Sequence, residues 1–257
     1  MILLTAQPRT GKSTAIKKIV NMLGKENCGG FYTEEIRENG ERVGFRICTL
    51  SGKEGILSHV NIDSNYRISR YGVDLETFEK LCVSELESAI KDHNVKYIVI
   101  DEIGPMQLFS EKYKELLIHL LDCDKPIIGT IFMNSYEWLD GFKKQENVNL
   151  IEITFENRNS LPLQLVELLS KDEEQIQRKI AKAKKYSTEL ERFELLDDRI
   201  IIHSEHGNRT IKKEDDKYVC DCEFYQTNHT CSHIMAIINS NLSFQKEISK
   251  QLTNKRN

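Results

Sequence analysis

An apolar run at the start of the chain leads into a loop of small and polar residues, and a helical pattern follows. Residues 1–14 read MILLTAQPRTGKST, and the loop ends at residues 11–14 with GKST. This order predicts a phosphate-binding loop, because a buried strand holds the loop, backbone N–H groups surround the phosphates and the next helix points its positive end at them. Lys12 would then reach the β- and γ-phosphates of a nucleotide, and the Ser13 hydroxyl would ligate Mg²⁺.

The loop departs from the usual signature, GxxxxGK[ST], at its first position, where the sequence has Ala6. A methyl group adds little bulk at the end of a strand, so the signature still predicts nucleotide binding. The alternative is a chance turn before a helix. The nucleotide-binding residues predicted from this loop are Ala6, Gln7, Pro8, Arg9, Thr10, Gly11, Lys12, Ser13 and Thr14.

Composition places the chain among the soluble globular proteins. Of its 257 residues, 39% are hydrophobic and 30% are charged, which provides enough apolar side chains for a core. The net charge of −4 argues against a general binder of polyanions. The sequence contains no apolar run near the ~18 residues of a membrane span and no signal-peptide pattern at its start. We therefore expect a cytoplasmic protein without a membrane partner, whose cysteines are free thiols or metal ligands.

Strand and helix patterns alternate along the first part of the chain. A helix is predicted after the loop over residues 15–25, and a hairpin over residues 29–50 turns at Asn39-Gly40. Further predicted elements are helix 75–92, strand 97–100, helix 111–123, strand 126–132, strand 149–155 and a helix that begins after Leu161. This alternation predicts an α/β fold with a mostly parallel sheet covered by helices on both faces, in which the hairpin is an insertion.

Two carboxylates follow the apolar strand YIVI at residues 97–100. Asp101 and Glu102 would lie at the carboxyl edge of a buried strand, where ligands of open α/β sheets bind. A phosphate-binding loop needs such a partner, because Mg²⁺ requires an outer carboxylate and the attacking water requires orientation. We expect Asp101 to hold Mg²⁺ and Glu102 to polarise the water. The alternative is that the two acids only begin the next loop.

Several segments resemble the thermostable and cancer-related nucleoside-triphosphatase family, both in residue type and in order. They are GGFYTEEIRENGERVGFRICTLSG (29–52), RYGVD (70–74), DEIGPMQLFS (101–110), IIGTI (127–131) and ENRNSLP (156–162). The resemblance covers residues 1 to about 170. It implies a RecA-like or kinase-like P-loop domain that hydrolyses ATP, GTP and other nucleoside triphosphates. Phosphoryl transfer to a nucleotide or nucleoside, as in a kinase, is the alternative reaction that it leaves open.

Three arginines bear on catalysis in this resemblance. The family's loop reads like GxPGxGKT, so Arg9 stands where a second glycine is expected. A residue other than glycine disfavours positive φ by roughly 1 kcal/mol, so the loop must avoid that conformation or carry strain. The Arg9 side chain either contacts a phosphate or points to solvent. Arg158 in ENRN and Arg70 in RYGVD are candidates for stabilising transition-state charge, and structural contacts are the alternative for both.

Residues 220–233, CDCEFYQTNHTCSH, contain a second motif with the spacing of metal ligands. Cys220, Cys222, Cys231 and His233 supply three thiolates and one imidazole, which complete a closed tetrahedral Zn²⁺ site. Zinc would supply the folding free energy of a segment too small for its own core, on the order of 10 kcal/mol in zinc-finger peptides. The pattern resembles the SWIM zinc finger, which places CxC on a β-hairpin and CxH at the start of a helix. A disulfide or free thiols are the alternatives.

A highly charged segment, residues 171–196, separates the two motifs. It predicts a solvated helical linker, with a nucleic-acid-binding surface as the alternative. The predicted domains are a nucleoside-triphosphatase domain over 1–170, this linker, a zinc module over 197–245 and a flexible tail over 246–257. A role without catalysis also stays open, in which the nucleotide gates a module that binds nucleic acid or protein through its zinc finger.

Overall fold

The computed structural model describes residues 1–171, 173–196, 198–214 and 217–240. These residues divide into two compact units. The first unit contains Met1–Ile16 and Glu26–Phe155, and the second contains Lys17–Lys25 and the described residues from Glu156 onward. The predicted flexible tail, 246–257, lies outside the described residues. The predicted domain boundaries at residues 170 and 196 stay predictions.

The first unit alternates strands and helices, as its sequence predicts. Its strands are β1 (Ile2–Thr5), β2 (Cys28–Glu38), β3 (Glu41–Thr49), β4 (Glu54–His59), β5 (Arg67–Ile68), β6 (Tyr71–Val73), β7 (Tyr97–Ile103), β8 (Ile127–Ile131) and β9 (Asn149–Glu152). Its helices are α1 (Lys12–Leu23), α2 (Leu75–Phe78), α3 (Ser84–Lys91), α4 (Glu111–His119) and α5 (Glu137–Phe142). A π-helical turn over Glu79–Val83 joins α2 to α3. The end of α1, from Lys17, belongs to the second unit.

The nine strands form one sheet in the order β5-β6-β4-β3-β2-β7-β8-β1-β9. On one side of the sheet, the neighbours β2, β7, β8, β1 and β9 pair in parallel. On the other side, the neighbours β2, β3, β4, β6 and β5 pair antiparallel. The α/β class is therefore confirmed, but the sheet is mixed rather than mostly parallel. Only residues 50–53 separate β3 from β4, and a parallel crossover needs a dozen residues or more, so the predicted hairpin continues as an antiparallel sheet.

Strand β7 lies in the middle of this sheet and is buried on both of its faces. Ile98 and Ile100 belong to a core cluster that also contains buried side chains of α3, α4 and α5. Val99 alternates with them and points to the opposite face, where it is also fully buried. A strand covered on both sides needs a continuous apolar run, which explains the sequence YIVI. The carboxylates that follow this run therefore start from a rigid position.

Glycines set the geometry of β2 and its turn. Gly30 has a φ of 119°, and a Cβ at this position would lie 2.0 Å from the carbonyl oxygen of Val99. Only glycine therefore lets β2 approach β7 this closely. At the other end of β2, Asn39 and Gly40 both have positive φ, 50° and 83°. Two such residues form the turn type that joins tight hairpins, so the hairpin predicted from Asn-Gly is confirmed.

The second unit combines helices with a small antiparallel sheet. Besides the end of α1, its described elements are α6 (Leu161–Leu169), α7 (Glu174–Thr188), β10 (Phe193–Leu195), β11 (Ile200–Ser204), β12 (Gly207–Glu214), β13 (Lys217–Cys220), α8 (Glu223–Asn228) and α9 (Ser232–Asn239). The strands pair in the order β10-β11-β12-β13. Among the described residues of either unit, no helix combines the length and the apolarity that crossing a bilayer requires.

The charged segment before the zinc motif folds as helix α7. Ile176, Ile180, Ala183 and Tyr186 recur on one side of this helix and are buried. Helix α7 packs on α9 within the second unit. The prediction of a helix is confirmed, and only one side of that helix is solvated.

Candidate active site and metal cluster

The predicted phosphate-binding loop connects β1 to α1. Helix α1 begins at Lys12, directly after Gly11, whose φ of 108° suits glycine. Thr10 donates to Gln7 O from its backbone N–H at 3.3 Å and from its hydroxyl at 2.8 Å. Ala15 N–H donates to Gly11 O at 2.9 Å and starts the helical hydrogen bonds. The N–H groups before it have no acceptor one turn back in α1, which is the arrangement that binds anions.

Arg9 has a φ of 65°, the left-handed conformation. Of the two alternatives that the sequence leaves open for this position, the loop adopts the strained one and does not avoid positive φ. The Arg9 side chain is exposed, as in the solvent-pointing alternative, and a contact with phosphate stays a prediction. Ala6 is buried at the end of β1, so its methyl group is accommodated. Of the two departures from the signature, Arg9 is the one with an energetic cost.

Replacement of Arg9 by glycine is expected to raise the free energy of unfolding by about 1 kcal/mol, because glycine adopts positive φ without a Cβ clash. Arg9→Ala serves as the matched control, since alanine removes the same side chain and keeps the conformational cost. Denaturant unfolding of the two variants without nucleotide measures the difference. Equal stabilities would contradict the assignment of strain to this residue.

Asp101 is buried in β7, where only 2% of its surface is exposed. Thr130 in β8 donates a hydrogen bond to Asp101 Oδ1, and the Ser13 hydroxyl interacts with the same carboxyl group. Burial nevertheless raises the pKa of Asp101 to about 6, because removal from water disfavours the charged form more than the two hydroxyl groups favour it. Oδ2 of this carboxyl is also buried, and it has no hydrogen-bond partner among the described residues.

Lys12 and Glu102 form an ion pair beside this carboxyl. Lys12 Nζ lies 2.9 Å from Glu102 Oε1, and both side chains are partly exposed, at 21% and 29%. The sequence predicts each residue separately, and the fold brings them together across 90 positions of the chain. The peptide bond between Asp101 and Glu102 is cis. Lys12, which is predicted to bind phosphate, and Glu102, which is predicted to act on water, therefore compensate each other's charge.

The residues around Asp101 fit a Mg²⁺ ion. The unpartnered Oδ2 and the Ser13 hydroxyl are oxygen donors, the type that Mg²⁺ prefers. Mg²⁺ in nucleotide sites is held by one or two protein oxygens and takes its remaining ligands from phosphates and water. A buried carboxylate oxygen without a partner costs free energy unless a cation or donor satisfies it. The donors around Asp101 therefore fit a Mg²⁺ ion, and the role of Asp101 as its ligand stays a prediction.

The two arginines predicted to stabilise transition-state charge lie in different units. Arg158 lies in the second unit, between β9 and α6. Burial and the positive charge of Arg158 together lower the pKa of Lys18. Arg70 donates to the Arg42 carbonyl, and its guanidinium lies 5.5 Å from the ring centre of Tyr71. These contacts match the structural alternative for Arg70, whereas the catalytic role of Arg158 stays a prediction.

The four predicted metal ligands converge in the second unit. Their ligand atoms, from Cys220, Cys222, Cys231 and His233, are all buried and lie within 4.8 Å of one another. Cys220 Sγ and His233 Nδ1 are 3.8 Å apart. Ligand atoms at about 2.0–2.3 Å from a tetrahedral Zn²⁺ lie roughly 3.5–3.8 Å from each other, so one ion fits between them. The CxC pair follows the hairpin β12–β13, and the CxH pair begins α9.

The electrostatics of this cluster favour a bound cation. The pKa of the Cys222 thiol is lowered, because the Cys220 and Cys231 thiols donate hydrogen bonds to its thiolate. The same interaction raises the pKa of Cys220 to about 12, and burial raises that of Cys231. His233 Nε2 is buried without a hydrogen-bond partner among the described residues, and the imidazole stacks on the Tyr186 ring at 6.2 Å. A divalent cation would let all three sulfurs ionise.

Sequence reasoning missed two residues of these sites. Thr130 is a polar residue in the otherwise apolar strand IIGTI, and it is fully buried against Asp101. That isolated hydroxyl was the available signal, because a buried strand contains a polar side chain only where it has a partner. Tyr186 is a buried aromatic residue of α7, and nothing in the sequence pattern indicated that its ring packs on His233.

Known proteins resemble the first two thirds of this chain. The family model described as NTPase matches residues 1–166. The nucleoside-triphosphatase THEP1 of Thermotoga maritima is 40% identical over 168 residues, which are 65% of this chain and 94% of that protein. The cancer-related nucleoside-triphosphatase homolog of Mus musculus is 35% identical over 173 residues, which are 62% of this chain and 91% of that protein.

Solved structures show the same relationship. The crystal structure of THEP1 from the hyperthermophile Aquifex aeolicus has a TM-score of 0.59 and 36% sequence identity, and the match covers 66% of this chain and 99% of that chain. The solution structure of a human cancer-related nucleoside triphosphatase has a TM-score of 0.57 and 34% identity, with coverage of 66% and 97%. The family match takes in the loop, Asp101 and Glu102 and covers more than half of the 257 residues. The chain belongs to the NTPase family.

Proposed function

We propose that this chain catalyses the Mg²⁺-dependent hydrolysis of nucleoside triphosphates to the diphosphate and phosphate. The convergence of Lys12, Asp101 and Glu102 on the loop before α1 is the observation that carries the proposal. Membership of the NTPase family supports the reaction class, since relatives at 34–41% identity carry the name nucleoside-triphosphatase. The same names specify nucleoside triphosphates without a particular base, which supports hydrolysis of nucleotides with different bases.

In the proposed reaction, this chain's residues bind the triphosphate and orient water. The first N–H groups of α1 bind phosphate oxygens, and Lys12 exchanges Glu102 for the β- and γ-phosphates. This exchange frees the Glu102 carboxylate, which then accepts a hydrogen bond from the attacking water and directs it at the γ-phosphorus. Asp101 and Ser13 would hold Mg²⁺, which supplies neutralisation of the charge that develops on the phosphate oxygens.

Arg158 is proposed to add positive charge to the transition state. Phosphoryl transfer is stabilised mainly by electrostatics, and an arginine is the usual source of such charge when the loop supplies only one lysine. After burial, the positive charge of Arg158 is the second cause that lowers the pKa of Lys18, which supports a position of Arg158 near α1.

The Glu102→Gln variant is expected to lower kcat about 100- to 1000-fold, because glutamine cannot take up the proton of the attacking water. Nucleotide affinity should stay the same or increase, since Lys12 loses its competing anionic partner. Glu79→Gln is the matched control, because Glu79 pairs with Lys112 at 2.7 Å in the same unit. Phosphate release and binding of a non-hydrolysable nucleotide measure the two effects. Full kcat with tight nucleotide binding in Glu102→Gln would exclude the proposed role of Glu102.

We further propose that Cys220, Cys222, Cys231 and His233 bind structural Zn²⁺ in a SWIM-type module. The closed set of four buried ligands leaves no position for a reacting water, which supports a structural role. The order hairpin, CxC, CxH and helix supports the SWIM-type assignment. Three thiolate ligands require a reducing compartment, which supports a cytoplasmic location.

The module is proposed to bind a partner, and the ion pairs of helix α7, in the same unit, favour protein over nucleic acid. Lys182 and Lys185 of α7 both pair with Glu205, at 3.4 and 2.9 Å. Lys184 pairs with Glu167 at 2.6 Å. Lysines that already have carboxylate partners contribute less to the release of counterions that drives nucleic-acid binding.

A further inference from the structure

A hydrogen bond joins the metal cluster to the end of the phosphate-binding helix. Thr230 donates from its hydroxyl to the carbonyl oxygen of Met22, and both residues are buried, at 2% and 1% exposure. Met22 lies in the last turn of α1, and both residues belong to the second unit. The last four carbonyls of a helix have no donor within that helix. The Thr230 hydroxyl therefore caps the end of α1, whose first turn follows the phosphate-binding loop.

The position of Thr230 depends on the cluster that follows it. Its neighbour His229 has a φ of 55° and ends α8, and its other neighbour, Cys231, is one of the four converging ligands. Cys231 is also the N-cap residue, directly before the first residue of α9. Thr230 lies between a left-handed residue and a metal ligand, in a short segment that belongs to neither helix. When the metal releases Cys231, nothing else in this segment fixes the position of the Thr230 hydroxyl.

We propose that Thr230 is a positioning residue for nucleotide binding and that it links the occupancy of the metal cluster to the affinity of the loop that precedes α1. The inference rests on the two sites of the proposed function. Helix α1 is continuous from Lys12 to Leu23. When its end is held, less conformational freedom is lost as the nucleotide orders its beginning, and the affinity is higher. By linkage, bound nucleotide then raises the affinity of the cluster for its metal by the same factor.

The obvious variant, Thr230→Val, keeps the shape of the side chain and leaves the Met22 carbonyl without its donor. Thr230→Ser restores the hydroxyl and is the rescue variant. Ser240→Ala is the matched control, because Ser240 is buried in the same unit and donates to Ala236 O at 2.7 Å, within its own helix. A merely structural loss would lower the unfolding temperature in both Thr230→Val and Ser240→Ala, so stability alone does not decide the question.

The experiment measures the dissociation constant of a fluorescent, non-hydrolysable ATP analogue with Mg²⁺, on the full chain. Each protein is tested with Zn²⁺ bound and after a zinc-selective chelator has been applied and dialysed away. Metal removal is expected to weaken binding about fivefold in wild type. Thr230→Val should show this weaker binding already with Zn²⁺ bound, and metal removal should raise its dissociation constant by less than a further factor of two. Thr230→Ser and Ser240→Ala should behave as wild type. All affinities are measured below the lowered unfolding temperature of the metal-free proteins, and circular dichroism at that temperature checks that each protein is folded.

Two results would overturn the inference. One is wild-type affinity in a metal-loaded Thr230→Val protein, and the other is an equal loss on metal removal in wild type and in Thr230→Val. Other results would show that the proposed function itself is wrong. Wild type that binds no nucleotide refutes the nucleotide site, and wild type that binds no Zn²⁺ refutes the metal site. In the latter case, equal affinities of Thr230→Val and Thr230→Ser would still refute the cap.

Discussion

Replacement of Lys12 by alanine is expected to lower phosphate release from MgATP about a thousandfold, because the variant loses the positive charge that stabilises the β- and γ-phosphates in the transition state. The fold should survive, since Lys12 is partly exposed and its ion pair with Glu102 contributes about 1 kcal/mol or less. Steady-state phosphate release, together with thermal unfolding of the same samples, measures both outcomes.

Lys112→Ala is the control for this variant. Lys112 also forms an ion pair with a glutamate, Glu79, but it lies on α4 with 70% of its side chain exposed. Its removal should leave phosphate release unchanged. Near wild-type hydrolysis by the Lys12→Ala variant would refute the assignment of the loop as the catalytic phosphate site.

Removal of Cys222 is expected to have the largest effect on stability. The Cys222→Ser variant should lose its Zn²⁺, and the second unit should then unfold at a much lower temperature or denaturant concentration than in wild type. The physical reason is that metal binding supplies folding free energy, on the order of 10 kcal/mol in zinc-finger peptides. Metal content by mass spectrometry and unfolding followed by circular dichroism test the expectation.

Cys123→Ser is the matched control, because Cys123 is a free, partly buried cysteine of the first unit. It should keep one Zn²⁺ per chain and a wild-type second unit. A Cys222→Ser protein with full metal content, or with no change in unfolding, would show that the cluster is not a structural zinc site.

The elements of the fold with local signals were predictable from the sequence. Asn39-Gly40 predicts its hairpin because the turn geometry is decided by two adjacent residues. Strands β4 to β6 were missed because EGILSH and its neighbours have no sustained alternation, and their pairing depends on β3. The missed α5 has only six residues, too few for a helical period to show.

The two sites were predicted by residue and not by arrangement. Lys12 and Glu102 each follow from a local motif, whereas their ion pair depends on the packing of β1, β8 and β7. Thr130 and Thr230 carry no motif, and each has a role only because the fold brings a distant partner to it. For Arg9, the comparison with glycine left two alternatives, a loop that avoids positive φ and a loop that carries strain, and the φ of 65° matches the second.

Mg²⁺-dependent hydrolysis is tested most directly by measuring phosphate release from ATP, GTP, CTP and UTP by the purified full chain, with Mg²⁺ and with EDTA in its place. We expect release of phosphate from more than one of the four nucleotides with Mg²⁺ and none with EDTA. Added nucleosides or nucleotides should not accept labelled phosphate. A protein that releases no phosphate from any of the four with Mg²⁺ present, or that releases it equally well in EDTA, would contradict the proposed hydrolysis.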